Sequence, residues 1–328
     1  MTAPARRYGM TIPFDGVPLA EHNEWFRELV DLGYTDVWSA EANGADGFTP
    51  LALAAAWAPE LRLGSAIIPA FTRGPACLAQ SVASLADAAP GRVAFGIGTS
   101  SDVIVQRWNG VPFEEPYRQV KDMVTFVREA LTGEKVSGTY GRSEVKGFRL
   151  GVVPAEPPAI LIAALRQGML RLAGRHGDGA IINWLSAQDV RTVVPIVNEA
   201  AAAAGKPQPE VAARIFVAPT TDRDTVMAMG RYAIAAYLTV PVYAAFHEWL
   251  GRGEELAEMS RLWADGDRKG ALEAIPDSLM DELIVHGSPE QCREHIGRYV
   301  ESGVTTPALA ILPFGIDQRQ AIRDLAPR

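Results

Sequence analysis

The chain has 328 residues, 48% of them apolar, and a formal net charge of −8. It can bury a large core, with room for a single domain of roughly 250 residues or more if the fold is an α/β barrel. The acidic balance argues against a nucleic-acid partner, whose phosphates need a basic surface, but leaves room for an anionic ligand in a local basic pocket.

The two cysteines, Cys77 and Cys292, have neither metal-ligand spacing nor the density of a disulfide framework. Both fall in helical patterns, so buried free thiols and a cytoplasmic location are expected. The opening MTAPARRYGM carries two arginines but no long apolar run, so neither a signal peptide nor a membrane span is expected.

In chain order, Tyr8 to Ile12 reads as a first strand ended by Pro13. Leu19 to Leu32 is an amphipathic helix with Trp25, Phe26, Leu29 and Val30 on one face and Gly33 after its end. Asp36 to Ser39 is strand two, and Thr49-Pro50 gives an N-cap and a proline at the first helical position of helix two. Leu61 to Ile68 is a nearly continuous apolar strand three, stopped by Pro69, with Gly74-Pro75 opening the next helix. Val93 to Gly98 is strand four; Thr99 to Pro116 is a long loop, and Tyr117 to Leu131 is a helix ended by Gly133.

Lys135 to Pro158 reads as irregular with a surface hairpin. Ala159 to Ala164, Ala180 to Asn183 and Ala212 to Ala218 are strands five to seven, separated by helices at Met169 to His176 and from Ser186 to about Ala204. Asp222 to Leu283 shows helical stretches and no alternating run. Ser288-Pro289-Glu290-Gln291 is a capping box, Ala308 to Leu312 is strand eight, and a helix closes the chain from Asp317.

Eight strands alternating with helices predict a parallel sheet, and eight repeats predict a closed (β/α)8 TIM barrel over an open doubly wound sheet. The span between strands seven and eight exceeds an ordinary connection. It reads as a helical insertion, about 222–284, within one domain covering 1–328, placed at the barrel mouth or a subunit contact.

A barrel builds its site in the loops after its strands. Those loops hold Glu41 and Asn43, Ser65 to Arg73, Thr99 to Ser101 with Trp108 and Asn109, Leu165 to Gly168, and Asn183 with Trp184. They contain no metal-ligand cluster, no nucleophile elbow and no phosphate loop, so no metal is expected. All five histidines fall in or beside helical segments and none ends a barrel strand. A site without nucleophile or metal points to chemistry carried by a cofactor. Trp38, Trp108 and Trp184, at or just past strand ends, are candidates to wall a flat heteroaromatic ligand or its substrate, with Asn109 beside them; ordinary packing is the alternative for each. GIGTSS at 96–101 lacks the third glycine and the prompt helix of a dinucleotide fingerprint, so Gly96 and Gly98 are read as sites of close backbone approach.

The segments Leu61 to Asp87, Gly91 to Val136 and Met169 to Trp184 resemble the luciferase-like monooxygenase superfamily, most of all its branch of oxidoreductases using the deazaflavin coenzyme F420, with patterns similar to methylene-tetrahydromethanopterin reductases. The resemblance runs from about Gly9 to Ile311. It implies a (deaza)flavin at the strand C-termini and a non-prolyl cis peptide at the end of strand three, carried over to Ser65–Ala66 give or take one residue, with Ala66 and Ile67 against the ring. It implies ring or hydroxyl contacts near Glu41, Thr99 and Ser101. The cofactor phosphate is expected on the backbone from Leu165 through Arg166, Gln167 and Gly168 to Met169, since a helix N-terminus favours an anion.

Arg166-Gln167 stands where Gly-Pro is common in the branch, so Arg166 either contacts the phosphate or crowds it. Arg73 and Arg175 are further basic candidates for the cofactor's acidic tail. Glu41-Ala42 replaces the Asp-His pair of the sugar-phosphate dehydrogenases, which argues against glucose 6-phosphate as substrate. The resulting expectation is an F420-dependent oxidoreductase acting on a small, mainly apolar substrate, with Glu41 as acid/base and a homodimeric assembly. The alternatives are an FMN-dependent monooxygenase using O2 and a flavin-binding barrel without turnover.

Overall fold

The computed structural model describes residues 7–327. Eight parallel strands close on themselves: β1 (Gly9–Ile12), β2 (Asp36–Ser39), β3 (Arg62–Ser65), β4 (Val93–Gly98), β5 (Ala159–Ala163), β6 (Gly179–Asn183), β7 (Glu210–Ala218) and β8 (Thr306–Ile311). β8 pairs with both β1 and β7, and β7 with β6, so the ring has no open edge. The fold is a (β/α)8 barrel.

Period-2 alternation sorts each strand into an inner and an outer face. Trp38, Ala94, Leu161, Ile181, Ala212 and Ala308 meet inside the lumen. Val37, Leu63, Val93, Phe95, Ile160, Ile162 and Ile215 face outward under the helices, in the main core. Trp38 is 1% exposed and fills the lumen because glycines on both flanking strands make room for its ring; a Cβ on Gly64 would come 2.3 Å from the ring, and one on Gly9 2.8 Å. The N-terminal end of the lumen is plugged by charge. Arg62 donates two 2.7 Å hydrogen bonds to Glu210 and one of 3.3 Å to Asp36, while the Thr306 hydroxyl donates to Glu210 at 2.7 Å.

Strand three is shorter than the apolar run suggests. β3 stops at Ser65, and Ile68–Pro69 pairs again with the far end of β4, so the strand is interrupted at Ala66 and Ile67. Ser65 bridges the gap: its hydroxyl donates to the Gly96 carbonyl at 3.0 Å and accepts from the Gly96 amide at 2.8 Å. That bridge requires glycine, since a Cβ on Gly96 would lie 1.8 Å from the Ser65 carbonyl oxygen.

Other local expectations shift for similar reasons. Thr49 is the first residue of helix Thr49–Trp57 and not its cap; the Asp46 carboxylate accepts from the Phe48 and Thr49 amides at 2.8 and 3.1 Å. The loop after β4 contains a π-helical turn, Val103–Trp108. Cys77 is exposed on the outer face of helix Pro75–Ala88, whereas Cys292 is buried. His286 ends a two-residue strand, Val285–His286, added beside β7. The hairpin is present as Val136–Tyr140 paired with Ser143–Phe148.

Between β7 and β8 the chain forms the helices Arg223–Leu238, Pro241–His247, Ala257–Ala264, Arg268–Glu273 and Asp277–Leu283. They build their own apolar cluster, which joins the barrel through Phe216, Ala218, Ala310 and Trp184. Among the described residues no helix is long and apolar enough to cross a membrane.

Candidate active site

A cavity of about 840 Å³ opens at the C-terminal ends of the strands, within the size range of small-molecule sites. Its walls come from Ala40 and Glu41 after β2, from Ala66 and Ile67 at the break in strand three, and from Thr99, Ser100 and Ser101 after β4. Ala163 at the end of β5, Ala164 to Met169 after it, Ile181 and Asn183 on β6, and Arg214 on β7 continue the circle, and Tyr237, Tyr243 and Trp249 from the inserted segment roof it.

The non-prolyl cis peptide lies between Ala66 and Ile67, one residue beyond Ser65–Ala66. The backbone here is held from both flanks: the Ala66 amide donates to the Ser39 carbonyl at 2.6 Å, and the Glu41 amide to the Ile67 carbonyl at 3.3 Å. Ser65 itself is buried behind this segment and does not reach the cavity. Ser100 has a left-handed backbone, φ 61°, which costs a non-glycine residue of order 1–2 kcal/mol and clusters at functional sites.

Glu41 reaches the cavity wall with both oxygens engaged. Arg73 donates to Oε1 at 2.5 Å, and the Gly47 amide donates to Oε2 at 2.9 Å. The carboxylate therefore clamps the 41–47 loop. Burial works against the charge on Arg73, but the Glu41 bond and the Glu41 and Asp46 charges outweigh it and hold the guanidinium above its ordinary value. Arg73 is thus spent inside the protein and does not line the cavity, and Arg175 lies exposed in the last turn of its helix, away from the cavity wall.

The helix after β5 runs from Gln167 to His176, starting two residues ahead of the sequence expectation, with Arg166 at its cap position and no acidic residue in its first turn. The amides of Gln167, Gly168 and Met169 precede the first intrahelical bond, from Leu170 to Arg166, and so lack partners within the helix. Arg166 is exposed and, among the described residues, makes no ion pair.

The aromatic expectations divide. Trp108 stands at the cavity mouth, 55% exposed. Trp38 is sealed in the lumen below. Trp184 follows β6 with φ 51°, a left-handed turn that swings it away from the cavity to stack on Phe216 with ring centroids 3.7 Å apart. Asn109 closes the π-helical turn by donating to the Ile104 carbonyl at 2.7 Å and is not part of the wall.

Sequence reasoning passed over Arg214 and Tyr243. Arg214 was legible: beyond Glu210, which opens β7, it is the one charged residue of that strand, at the inward parity set by Ala212 and Phe216. Tyr243 was not, because its position depends on how the inserted helices fold back. Its hydroxyl accepts from Asn183 Nδ2 at 3.1 Å. Burial, with Tyr237 beside it, pushes that hydroxyl up to about 12, so it keeps its proton at neutral pH.

A closed parallel barrel with an apolar-walled cavity at the C-terminal ends of its strands, a break in strand three and an open helix N-terminus after strand five has its candidate site where (β/α)8 enzymes build theirs. Residues 3–306 match the family of luciferase-like monooxygenases, and the chain belongs to that family. It is 27% identical over 318 residues to the 5,10-methylenetetrahydromethanopterin reductase of Methanolobus tindarius, covering 95% of each chain. It is 28% identical over 337 residues to an F420-dependent glucose-6-phosphate dehydrogenase of Nocardia farcinica, covering 92% of this chain and 94% of the relative. The coenzyme F420-dependent tetrahydromethanopterin reductase of Methanopyrus kandleri superposes with a TM-score of 0.76 at 21% identity, covering 98% of this chain and 97% of the other.

Proposed function

We propose that this protein is a coenzyme F420-dependent oxidoreductase that transfers a hydride between the deazaflavin and a small organic substrate. The observation that carries the reading is the cavity itself: one continuous space joins the backbone of Ala66 and Ile67 to the open N-terminus of helix Gln167–His176. Relatives across nearly the whole chain length that carry F420 in their names support the choice of cofactor over FMN.

The residues present fit such a group. Ala40, Ala66, Ala163 and Ala164 leave the wall flat enough for a ring to approach backbone. The free amides of Gln167, Gly168 and Met169 suit a phosphate, and Arg166 adds a charge beside them. Bound there, the cofactor supplies a ring carbon that carries the hydride. The chain's part is to orient, to exclude water and to hold a proton. Thr99 and Ser101 line the wall and are the candidates to orient the ring, their hydroxyls also bonded to the Ser100 carbonyl at 3.2 Å and the Ile104 amide at 3.3 Å, and the inserted helices, as part of the same domain, close the roof with Tyr237, Tyr243 and Trp249.

Glu41 is the candidate acid/base, as the one carboxylate on the cavity wall among the described residues. Proton exchange there requires loosening a bond to Arg73 or to Gly47. Tyr243, which keeps its own proton, is a second group able to hold a proton at a substrate oxygen.

Fluorescence-quenching titration of Arg166→Ala with F420 tests the phosphate seat. One lost charge-assisted hydrogen bond at an exposed position predicts about a tenfold weaker Kd, shrinking at high salt. Unchanged or tighter binding would remove Arg166 from the seat.

A further inference from the structure

Arg214 projects into the lumen from β7, between the inward positions of Ala212 and Phe216. Its guanidinium lies over the Phe216 ring, 4.8 Å from the centroid. Its Nε is buried without a hydrogen-bond partner, and among the described residues it forms no ion pair. Glu41, the only carboxylate on the same cavity wall among those residues, is held by Arg73. On the adjoining strand Asn183, the register partner of Arg214, has its Oδ1 buried and unpartnered as well. A guanidinium Nε–H withdrawn from water without an acceptor is costly, and so is an orphaned amide oxygen. Two such groups side by side, facing a cavity, form an incomplete recognition site.

We propose that Arg214 anchors the substrate by its carboxylate, and that Asn183 Oδ1 accepts a hydrogen bond from a hydroxyl or N–H next to that carboxylate. The inference rests on the deazaflavin reading for the direction of the substrate but not for the anion site itself. β3 and β7 lie four strands apart in the eight-stranded ring, so the Ala66–Ile67 wall and Arg214 face each other across the lumen. A ring laid against the former leaves its other face toward the latter. The planar guanidinium fork matches a carboxylate bidentately. Val240, Val242 and Trp249 above it offer an apolar surface, so the substrate class is a small organic acid with an apolar body.

The test uses the full chain without cofactor, in thermal unfolding at fixed ionic strength with acetate, phenylacetate and octanoate, each against its primary amide. At saturation the longer acids should raise Tm by about 2–4 °C and the amides should not. Arg214→Met should abolish the rise. It should also raise the Tm of the ligand-free protein, because it removes a buried donor that has no acceptor; a structural arginine would give the opposite sign. Arg214→Lys should keep only part of the rise, having lost the fork.

The proposal is overturned if wild type does not distinguish acid from amide, a comparison that stands even if Arg214→Met fails to fold. It is equally overturned if the rise survives in Arg214→Met, if ligand-free Arg214→Met is less stable than wild type, or if inorganic phosphate alone stabilises through Arg214. Acid-specific stabilisation in a protein that does not bind F420 would refute the cofactor reading and leave the anion site in place.

Discussion

Gly96→Ala tests the architecture beneath the cavity. The added methyl carbon would sit 1.8 Å from the Ser65 carbonyl oxygen and 2.4 Å from Ile181 Cδ1. The side chain of Ile181 can turn; the Ser65 carbonyl is backbone, and relief to an ordinary contact needs a shift of more than about 1 Å between β3 and β4. Such a shift breaks the two Ser65 hydroxyl bonds to Gly96, at 2.8 and 3.0 Å, which replace the strand ladder where strand three is interrupted. Overpacking costs about 1–3 kcal/mol and each lost buried hydrogen bond about 1 kcal/mol more, so the variant should lose about 3–5 kcal/mol. Urea unfolding read by tryptophan fluorescence measures this directly. Gly168→Ala is the control: nothing lies within 4 Å of its added carbon, in the first turn of a helix, so it should be neutral or stabilising by up to ~1 kcal/mol. A Gly96→Ala chain as stable as wild type would refute the account of the β3–β4 seam.

The charged plug at the other end of the lumen gives a second test. Arg62→Met leaves Glu210 and Asp36 without their shared cation and should cost about 3 kcal/mol, with Arg62→Met/Glu210→Leu recovering much of it. Burial pushes the Glu210 carboxyl up, but the Arg62 hydrogen bonds and charge outweigh it and hold the value low; this contribution is complete above the unfolded carboxyl value of about 4.3 and is lost as pH falls through the lower folded value. The stability gap between wild type and Arg62→Met should therefore narrow on acidification, and a constant gap down to pH 2 would contradict the pairing. For Glu41→Gln the acid/base role predicts turnover reduced by about a hundredfold or more at nearly unchanged F420 affinity. Weaker F420 binding with faster hydrogen exchange at Gly47 and intact turnover would make Glu41 a loop clamp only.

The barrel was legible because eight apolar runs alternate with amphipathic helices, and the capping signals at Ser186 and Ser288 mark helix starts that the structure keeps. The site was legible only where loop position decides it, as at Glu41, Thr99 and Leu165 to Met169. Runs buried on both faces hide which residues point inward. Trp38 read as a mouth residue because it nearly ends its strand, yet Gly9 and Gly64 on the flanking strands make room for it in the lumen. Trp184 was misplaced because its left-handed backbone has no signature in a residue of that kind. The interruption of strand three is likewise invisible in the composition of LGSAIIP, since it depends on the Ser65 bridge to a strand thirty residues away.

The central claim is most directly tested by titrating the purified protein with F420 and FMN side by side, following quenching of intrinsic and cofactor fluorescence. Both ligands offer a phosphate to the same helix N-terminus, so the ring and the acidic tail must set any preference. The account predicts saturable F420 binding with a Kd at least tenfold below that for FMN, and an F420 affinity that weakens modestly with salt as tail contacts are screened. FMN binding in the absence of any F420 binding would contradict it and point to oxygen-using flavin chemistry in this barrel.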